Sequence, residues 1–300
     1  MFKFRYILVD DSVAGVGGTA FTLEGILEPV KDLVLSIPTR ELSLTDVVKH
    51  SDKIWIFGNI HGISVESFNV IISAMERVRF FKVEFDYGYC SFRGRIPHKE
   101  WTGESCNCSK SSQSFMLRSI YELIKEKSIH NFYMSQEQLD FHAIDTHMPS
   151  SKCSVLSSCF SENFFSLISE IKVLQKNGKY AIIDGQGGWH SKAKGVKESI
   201  SYATNNNISY DILKTESHEE LMRQLCHYTG LIFLPIIHDT CPRITIESKL
   251  LGLDLIINEK CQHITEEWWS ETLEGMEEYL SGRPAYMWDS INNALSNNTS

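Results

Sequence analysis

The sequence contains no apolar stretch long enough to form a transmembrane helix, which needs roughly 20 consecutive apolar residues. Its amino-terminal part is apolar over residues 2–9, but Asp10 and Asp11 interrupt this run before any site that resembles a signal-peptide cleavage site. We therefore interpret residues 2–9 as a first β-strand and expect a cytoplasmic protein. In that compartment the eight cysteines are expected to be reduced.

The sequence also lacks an excess of positive charge. Its 29 Lys and Arg residues are outnumbered by 38 Asp and Glu residues, which gives a formal net charge of −9 at pH 7. Bulk charge of this sign disfavours nucleic acids and anionic membranes as partners, although it is compatible with a local basic site. The hydrophobic content of 42% is typical of a globular protein, and 300 residues suffice for two domains.

No internal repeat is recognisable, but strand-like apolar runs alternate with helix-like segments along almost the whole chain. The predicted strands are residues 4–9, 33–37, 53–57, 80–85, 129–133, 153–157, 180–183, 210–213, 231–234 and 255–257. Such alternation predicts parallel sheets flanked by helices. It is interrupted between residues 142 and 161, so we predict an α/β protein of two Rossmann-like parallel-sheet domains facing a cleft. Their predicted bounds are 1–155 and 156–282.

Residues 230–258 combine a buried strand, a short polar loop, a helix and a second strand. Pro242 suits the first turn of that helix. The polar side chains of the loop and the helix start are His238, Asp239, Thr240 and Arg243. Free N–H groups and the helix dipole attract anions where a strand ends and a helix begins. The segment therefore predicts an anion site bracketed by two carboxylates, Asp239 and Glu247, with seven residues between them.

A glycine-containing loop over residues 10–19 follows the first predicted strand. Gly17 and Gly18 would let the backbone approach a ligand closely. Residues 15–20 also fit the G-x-G-x-x-A dinucleotide fingerprint, but five residues separate the strand from Gly15, and no acidic residue stands about 20 positions on. This loop has three interpretations: a nicotinamide site, a tight turn, or a loop that faces the interdomain cleft. We favour the loop that faces the cleft.

A second glycine-rich stretch, residues 184–195, follows the predicted strand 180–183 and precedes a predicted helix. Lys192 and Lys194 lie near the start of that helix. There, lysine charge and the helix dipole would together neutralise a diphosphate. The alternative is a pair of solvated lysines on an exposed loop.

The second half resembles the nucleotide-sugar domain of a GT-B glycosyltransferase and is most similar to the retaining family-4 type. In that family a lysine before a glycine contacts the donor diphosphate, and Lys194-Gly195 matches it. The family also has two glutamates separated by seven residues, and Asp239 and Glu247 match them, with aspartate in the first position. The resemblance implies that Asp239 orients the donor sugar and Glu247 holds the ribose.

Other parts of the chain share the resemblance. It implies that residues 240–243, with Thr240 and Arg243, contact sugar and phosphate, and that Gly17 and Gly18 close on the diphosphate. Residues 283–300 resemble the family's last helix, which packs back on the first domain. The resemblance further implies sugar transfer from a nucleotide-diphosphate donor with retention, without a metal or another cofactor. The acceptor would be a hydroxyl group of a glycan, lipid, protein or small molecule.

The chain departs from the family pattern at two places. Gln186 or Lys192 stands where the family commonly has an arginine before the lysine, and the family's first-domain histidine after a strand is not visible. At the comparable strand end the chain has Asp86, which we take as the candidate for orienting the acceptor or the reacting centre. A carboxylate that caps a turn is the alternative.

Four metal-ligand residue types occur within nineteen positions, namely Cys90, His98, Cys106 and Cys108. They could hold a tetrahedral zinc ion. Because Cys-X-Cys is tighter than usual zinc spacing, loop cysteines without a metal are the favoured interpretation. Further along, Trp268 and Trp269 are predicted to pack within an acidic helix over residues 266–279.

Three other functions remain as alternatives to sugar transfer. A nucleotide-sugar epimerase would share the architecture and the donor. A non-catalytic nucleotide-sugar or glycan-binding module would bind the donor without turnover, which the two departures from the family pattern keep open. A nicotinamide dehydrogenase would bind its cofactor at the loop around Gly17.

Overall fold

The computed structural model describes residues 4–11, 17–60, 63–92, 94–108, 115–172, 175–184, 188–214 and 217–297. Within them the chain forms two units. The first unit comprises Met1–Phe160 together with Gly282–Ser300, and the second unit is Ser161–Ser281. None of the described helices is both long and apolar enough to cross a membrane.

The described chain contains ten strands and thirteen α-helices. The strands are β1 (Tyr6–Val9), β2 (Val34–Ile37), β3 (Ile54–Phe57), β4 (Arg79–Glu84), β5 (Asn131–Tyr133), β6 (Cys153–Val155), β7 (Tyr180–Ile183), β8 (Tyr210–Leu213), β9 (Gly230–Phe233) and β10 (Asp254–Ile257). The helices are α1 (Gly18–Leu27), α2 (Leu44–Lys49), α3 (Val65–Arg77), α4 (Arg95–Thr102), α5 (Phe115–Lys127), α6 (Gln136–Thr146), α7 (Glu162–Ile171), α8 (Gly188–Ala193), α9 (Val196–Asn205), α10 (His218–Leu225), α11 (Arg243–Leu250), α12 (Leu273–Ser281) and α13 (Arg283–Asn297).

A six-stranded parallel sheet organises the first unit, in the order β2-β1-β3-β4-β5-β6. Strands β1 and β3 are buried along their whole length. Both are uninterrupted apolar runs, as expected for central strands of a parallel sheet whose two faces are covered. Trp55, Phe57 and Phe80 form part of the core beside this sheet.

A four-stranded parallel sheet organises the second unit, in the order β10-β9-β7-β8. Its core includes Ile182, Ala203 and Ile232. Because all the strands are parallel, their carboxyl ends share one edge of the sheet. The chain therefore leaves β7 and β9 at that edge.

Helix α13, at the end of the described chain, packs on the first unit. The indole N–H of Trp288 donates to the carbonyl oxygen of Ile26 at 2.7 Å, and its ring centroid lies 4.7 Å from that of Tyr6. Arg283 donates to the carbonyl oxygen of Leu156 at 2.7 Å. These contacts join α1, β1 and the end of β6 to the last helix.

The predicted α/β class with two parallel sheets is confirmed. Each predicted strand is found to within two residues at either end. The predicted helix over residues 266–279 is wrong. A 3-10 helix, Glu267–Ser270, is followed by a break and then by α12, because the Thr272 hydroxyl accepts the N–H of Gly275 at 3.1 Å and starts a new helix there.

Candidate active site

The loop between β9 and α11 holds Asp239 at the carboxyl edge of the second sheet. Both backbone polar groups of Asp239 are hydrogen-bonded. Its N–H donates to the carbonyl oxygen of Lys260 at 2.8 Å, and its carbonyl oxygen accepts from the N–H of Gln262 at 3.0 Å. This pairing with the segment after β10 satisfies both backbone polar groups of Asp239 and fixes its backbone position at the sheet edge.

Lys194 lies beside Asp239. Its ammonium group donates to the Asp239 carboxylate in an ion pair, and it also lies 5.7 Å from the ring centroid of Phe233. The lysine side chain is 48% exposed, so the pair faces solvent. The two residues that the sequence assigned to one ligand are thus in direct contact.

Gly195 allows the backbone at Lys194-Gly195 to come close to the end of β9. It has a φ of +66°, and a Cβ atom at this position would lie 1.6 Å from the carbonyl oxygen of Leu234. Only glycine fits such a close approach. The backbone at Gly195 therefore packs directly against the end of β9, and this packing places the Lys194 ammonium group at the sheet edge.

Glu247 lies on the buried side of α11, and its side chain is 3% exposed. Oε1 accepts hydrogen bonds from Nε of Arg243 at 3.2 Å and from Nε2 of His218 at 3.0 Å. Since a carboxylate can only accept, Nε2 of His218 carries the proton. Burial raises the pKa of Glu247, but the His218 hydrogen bond and the Arg243 charge outweigh it and lower the pKa below its ordinary value.

His218 is a site residue that sequence reasoning missed. It begins α10, where the Ser217 hydroxyl accepts the N–H of Glu220 at 3.4 Å. Its ring stacks against Phe164, whose ring centroid also lies 5.8 Å from Cζ of Arg243. The capping pattern predicts that His218 is at a helix start. No spacing signal connects it to Glu247, 29 residues away.

The other predicted donor-site residues differ in exposure. Thr240 and Arg243 are each 7% exposed, while Lys192 is an exposed residue of α8. In the first unit, Gly18 begins α1 and Gly17 precedes it with a φ of +132°. Gly15, the first residue of the G-x-G-x-x-A match, and Gln186 lie outside the described residues.

Asp86 lies two residues beyond β4 in the first unit and is 7% exposed. Its Oδ1 accepts the N–H of Tyr87 at 2.9 Å, and its carbonyl oxygen accepts from Nε2 of Gln138 at 2.9 Å. The carboxylate thus contacts its own turn, which leaves the turn-capping alternative open. Its predicted role with the acceptor stays a prediction.

Further buried charges near the same sheet edge were missed. Nζ of Lys82 lies 3.2 Å from Oε2 of Glu84, and both side chains are 2% exposed. Asp10, directly after β1, accepts the N–H of Asn59 at 2.5 Å. Charged residues within or directly after apolar strands are the signal that could have identified this group. Cys90, His98, Cys106 and Cys108 are also brought together in the first unit.

Solved structures share this architecture. HepE of Anabaena in complex with UDP matches with a TM-score of 0.57 at 11% identity, over 98% of this chain and 100% of that chain. The HepE complex with UDP-glucose matches with a TM-score of 0.58 at 13% identity, over 96% and 91%. A UDP-forming α,α-trehalose-phosphate synthase from Burkholderia xenovorans matches with a TM-score of 0.56 at 8% identity, over 99% and 100%. The chain has the GT-B fold.

The GT-B prediction is thereby confirmed for the fold. No model of a known protein family matches the chain, and no curated protein matches its sequence. At 13% identity or less, the GT-B likeness assigns no role to single residues. The predicted roles of Lys194, Asp239 and Glu247 therefore stay predictions that depend on the geometry of these residues in this chain.

Proposed function

We propose that this protein is a glycosyltransferase that moves a sugar from a nucleoside-diphosphate donor to a hydroxyl acceptor. One observation carries the proposal: on a GT-B fold, Lys194 and Asp239 form an ion pair at the carboxyl edge of the second sheet. The loop that holds Asp239 leads into α11, which carries the ionised Glu247. Since proteins of this fold were solved with UDP and UDP-glucose, UDP-sugars are the first donors to test.

The chemistry of the step requires positive charge at the diphosphate. Negative charge develops on the diphosphate as its bond to the anomeric carbon breaks, and preorganised positive groups stabilise it. We assign this role to Lys194, with Lys192 and the amino end of α11 in support. The donor diphosphate would share the Lys194 ammonium with Asp239.

Glu247 and Asp239 would position the rest of the donor. An ionised carboxylate held by His218 and Arg243 is a strong, fixed acceptor for the two ribose hydroxyls. Asp239 would accept from hydroxyls of the transferred sugar. On the acceptor side we assign Asp86 to orienting the attacking hydroxyl. Retention of anomeric configuration and transfer without a metal ion are parts of the same proposal.

The first test measures nucleoside-diphosphate release from a panel of nucleotide sugars with mixed hydroxyl acceptors. Replacing Lys194 with Ala should lower kcat about 100-fold or more, the usual cost of losing one group that stabilises developing charge. Lys179→Ala is the matched control, because Lys179 also pairs with an aspartate and is 45% exposed, but precedes β7 at the opposite edge of the sheet.

Equal turnover by the two lysine variants would contradict the assignment of Lys194. Donor binding without release or transfer by the wild-type protein would instead indicate a binding module. An isomerised free nucleotide sugar would indicate an epimerase. Product NMR then tests the stereochemistry, and an inverted anomeric centre would overturn the retaining mechanism.

A further inference from the structure

Four side chains of the first unit direct metal-ligand atoms at one another: those of Cys90, His98, Cys106 and Cys108. All four ligand atoms lie within 4.8 Å of one another. Nδ1 of His98 is 3.5 Å from Sγ of Cys90 and 3.4 Å from Sγ of Cys108. The sulfur atoms of Cys106 and Cys90 are 3.6 Å apart.

These distances match the edges of a zinc coordination tetrahedron. With Zn–S near 2.3 Å and Zn–N near 2.0–2.1 Å, ideal angles place two sulfurs about 3.8 Å apart and a sulfur and a nitrogen about 3.6 Å apart. A disulfide would need a sulfur separation of about 2.05 Å. The cysteines are free thiols in the structure, so disulfide bonding does not account for their arrangement.

The chain is built to bring these ligands together. Cys90 lies in the turn after β4, and Gly94, with a φ of +127°, leads into α4, which carries His98. Gly103 then ends α4 in the left-handed conformation. Cys106 and Cys108 follow, and they are directed inward while the residue between them is exposed. The tight Cys-X-Cys spacing is therefore compatible with one shared ligand site.

The surroundings suit bound thiolates. Cys90 and Cys108 are each 3% exposed and His98 is 6% exposed, so three of the four ligands are shielded from water. The N–H of Phe92 donates to Sγ of Cys90 at 3.4 Å, and the Phe92 ring meets the His98 ring edge-on at 4.9 Å. Outer-shell contacts of this kind orient metal ligands.

We propose that Cys90, His98, Cys106 and Cys108 bind one Zn²⁺ in a closed structural site. Three thiolates and an imidazole favour zinc over magnesium, calcium or manganese. Four protein ligands leave no position for a substrate, so the site is structural and separate from sugar transfer. The ion would cross-link Cys90, α4 and the Cys106–Cys108 segment, all of which follow β4 and Asp86 in the chain.

The test measures the zinc content of the full chain, purified under reducing conditions, incubated with zinc sulfate and desalted. We expect one zinc per chain, and Co²⁺ in its place should give the visible absorption bands of a tetrahedral thiolate site. Cys106→Ser should bind zinc at least tenfold more weakly. Cys153→Ser is the matched control, since Cys153 is also a partly buried cysteine of the first unit but lies outside the cluster.

A second measurement does not depend on whether the variants fold. Removing the metal from the wild-type protein with a chelator should lower its Tm, and adding zinc back should restore it, because binding to the folded state adds stability. Retention of less than about a tenth of a zinc per chain would overturn the proposal. Equal zinc binding by both serine variants would overturn the ligand assignment, and iron at these ligands would overturn the choice of metal.

Discussion

Under the proposed function, the Lys194–Asp239 ion pair would make donor recognition depend on how far the Asp239 carboxylate reaches. Asp239 is one methylene shorter than the glutamate that the family resemblance leads one to expect here. Its carboxylate is 15% exposed beside a half-exposed lysine. A donor sugar that hydrogen-bonds Asp239 would then be selected by its distance from this one anchored carboxylate.

Replacing Asp239 with Glu should change which donor sugar is preferred. One methylene at a specificity contact is worth about 10-fold or more in relative kcat/KM. The measurement is the ratio of kcat/KM for two UDP-sugars that differ in one hydroxyl, and Asp211→Glu is the control because Asp211 pairs with Lys179. An unchanged ratio in Asp239→Glu would remove Asp239 from sugar recognition.

His263 makes the stability of the second unit depend on pH. It is fully buried, and its Nε2 lies 3.2 Å from the Thr245 hydroxyl, which itself donates to the carbonyl oxygen of Pro242 at 2.8 Å. Nε2 therefore carries a proton in the neutral ring. Burial lowers the pKa of His263 to about 3.

Because the folded-state pKa lies below the ordinary value of 6.5, the unfolded chain binds the extra proton between about pH 6.5 and 3. Stability should therefore fall as pH falls through this window, by up to about 1.4 kcal/mol per pH unit. Urea unfolding at pH 6.5, 5.5 and 4.5 measures the slope, which His263→Gln should reduce. His227→Gln, at an exposed position of the same unit, is the control. Parallel slopes for wild type and His263→Gln would contradict this prediction.

The loop between α8 and α9 depends on one glycine for its position. In a Gly195→Ala variant, the alanine would need a left-handed backbone conformation, and its methyl group would overlap the Leu234 carbonyl oxygen. Gly178→Ala is a matched control, since Gly178 has a φ of +78° but no atom within 4 Å of an added Cβ. The control should lose about 1–2 kcal/mol of unfolding free energy from backbone strain alone.

Gly195→Ala should lose more than Gly178→Ala and should also weaken UDP binding, because Lys194 moves with the loop. Urea unfolding and calorimetric titration with UDP measure the two effects. If both variants lost the same stability and bound UDP equally, the close packing of this loop would have no role in the site.

The strands and the loop–helix units were predictable because each is a local pattern. β9 is an uninterrupted apolar run, and Pro242 marks the start of α11 as its N-cap. The Glu247–His218 contact was not predictable. His218 is a single histidine at a helix start, and no periodicity or residue spacing in the sequence identifies Glu247 as its partner. The cysteine cluster was visible in the sequence, but which atoms meet depends on α4 and the turns around it.

The division of the molecule into units depends on α13 as well as on the two sheets. Trp288 is 5% exposed and binds the first unit through Ile26 and Tyr6. Arg283 adds hydrogen bonds to the end of β6. The last helix therefore belongs to the packing of the first unit, although it follows the second unit in sequence.

Trp288→Ala should lower the unfolding free energy of the first unit by about 3–5 kcal/mol, the usual cost of removing a buried aromatic side chain. Trp101→Ala is the control in the same unit, because Trp101 is 46% exposed, and it should lose about 1 kcal/mol or less. Urea unfolding followed by circular dichroism measures both. Similar losses for the two tryptophans would show that α13 contributes little to the first unit.

The position of α13 also has a consequence for how the protein matures on the ribosome. All of Ser161–Ser281 is translated before α13, so the second unit is a continuous segment that can fold during synthesis. The first unit begins earlier, but its Trp288 contact becomes available only after the second unit has emerged. Domains usually mature from the amino terminus onward. Here the order of completion is reversed, because the second unit is fully translated at Ser281 while the first unit still lacks α13.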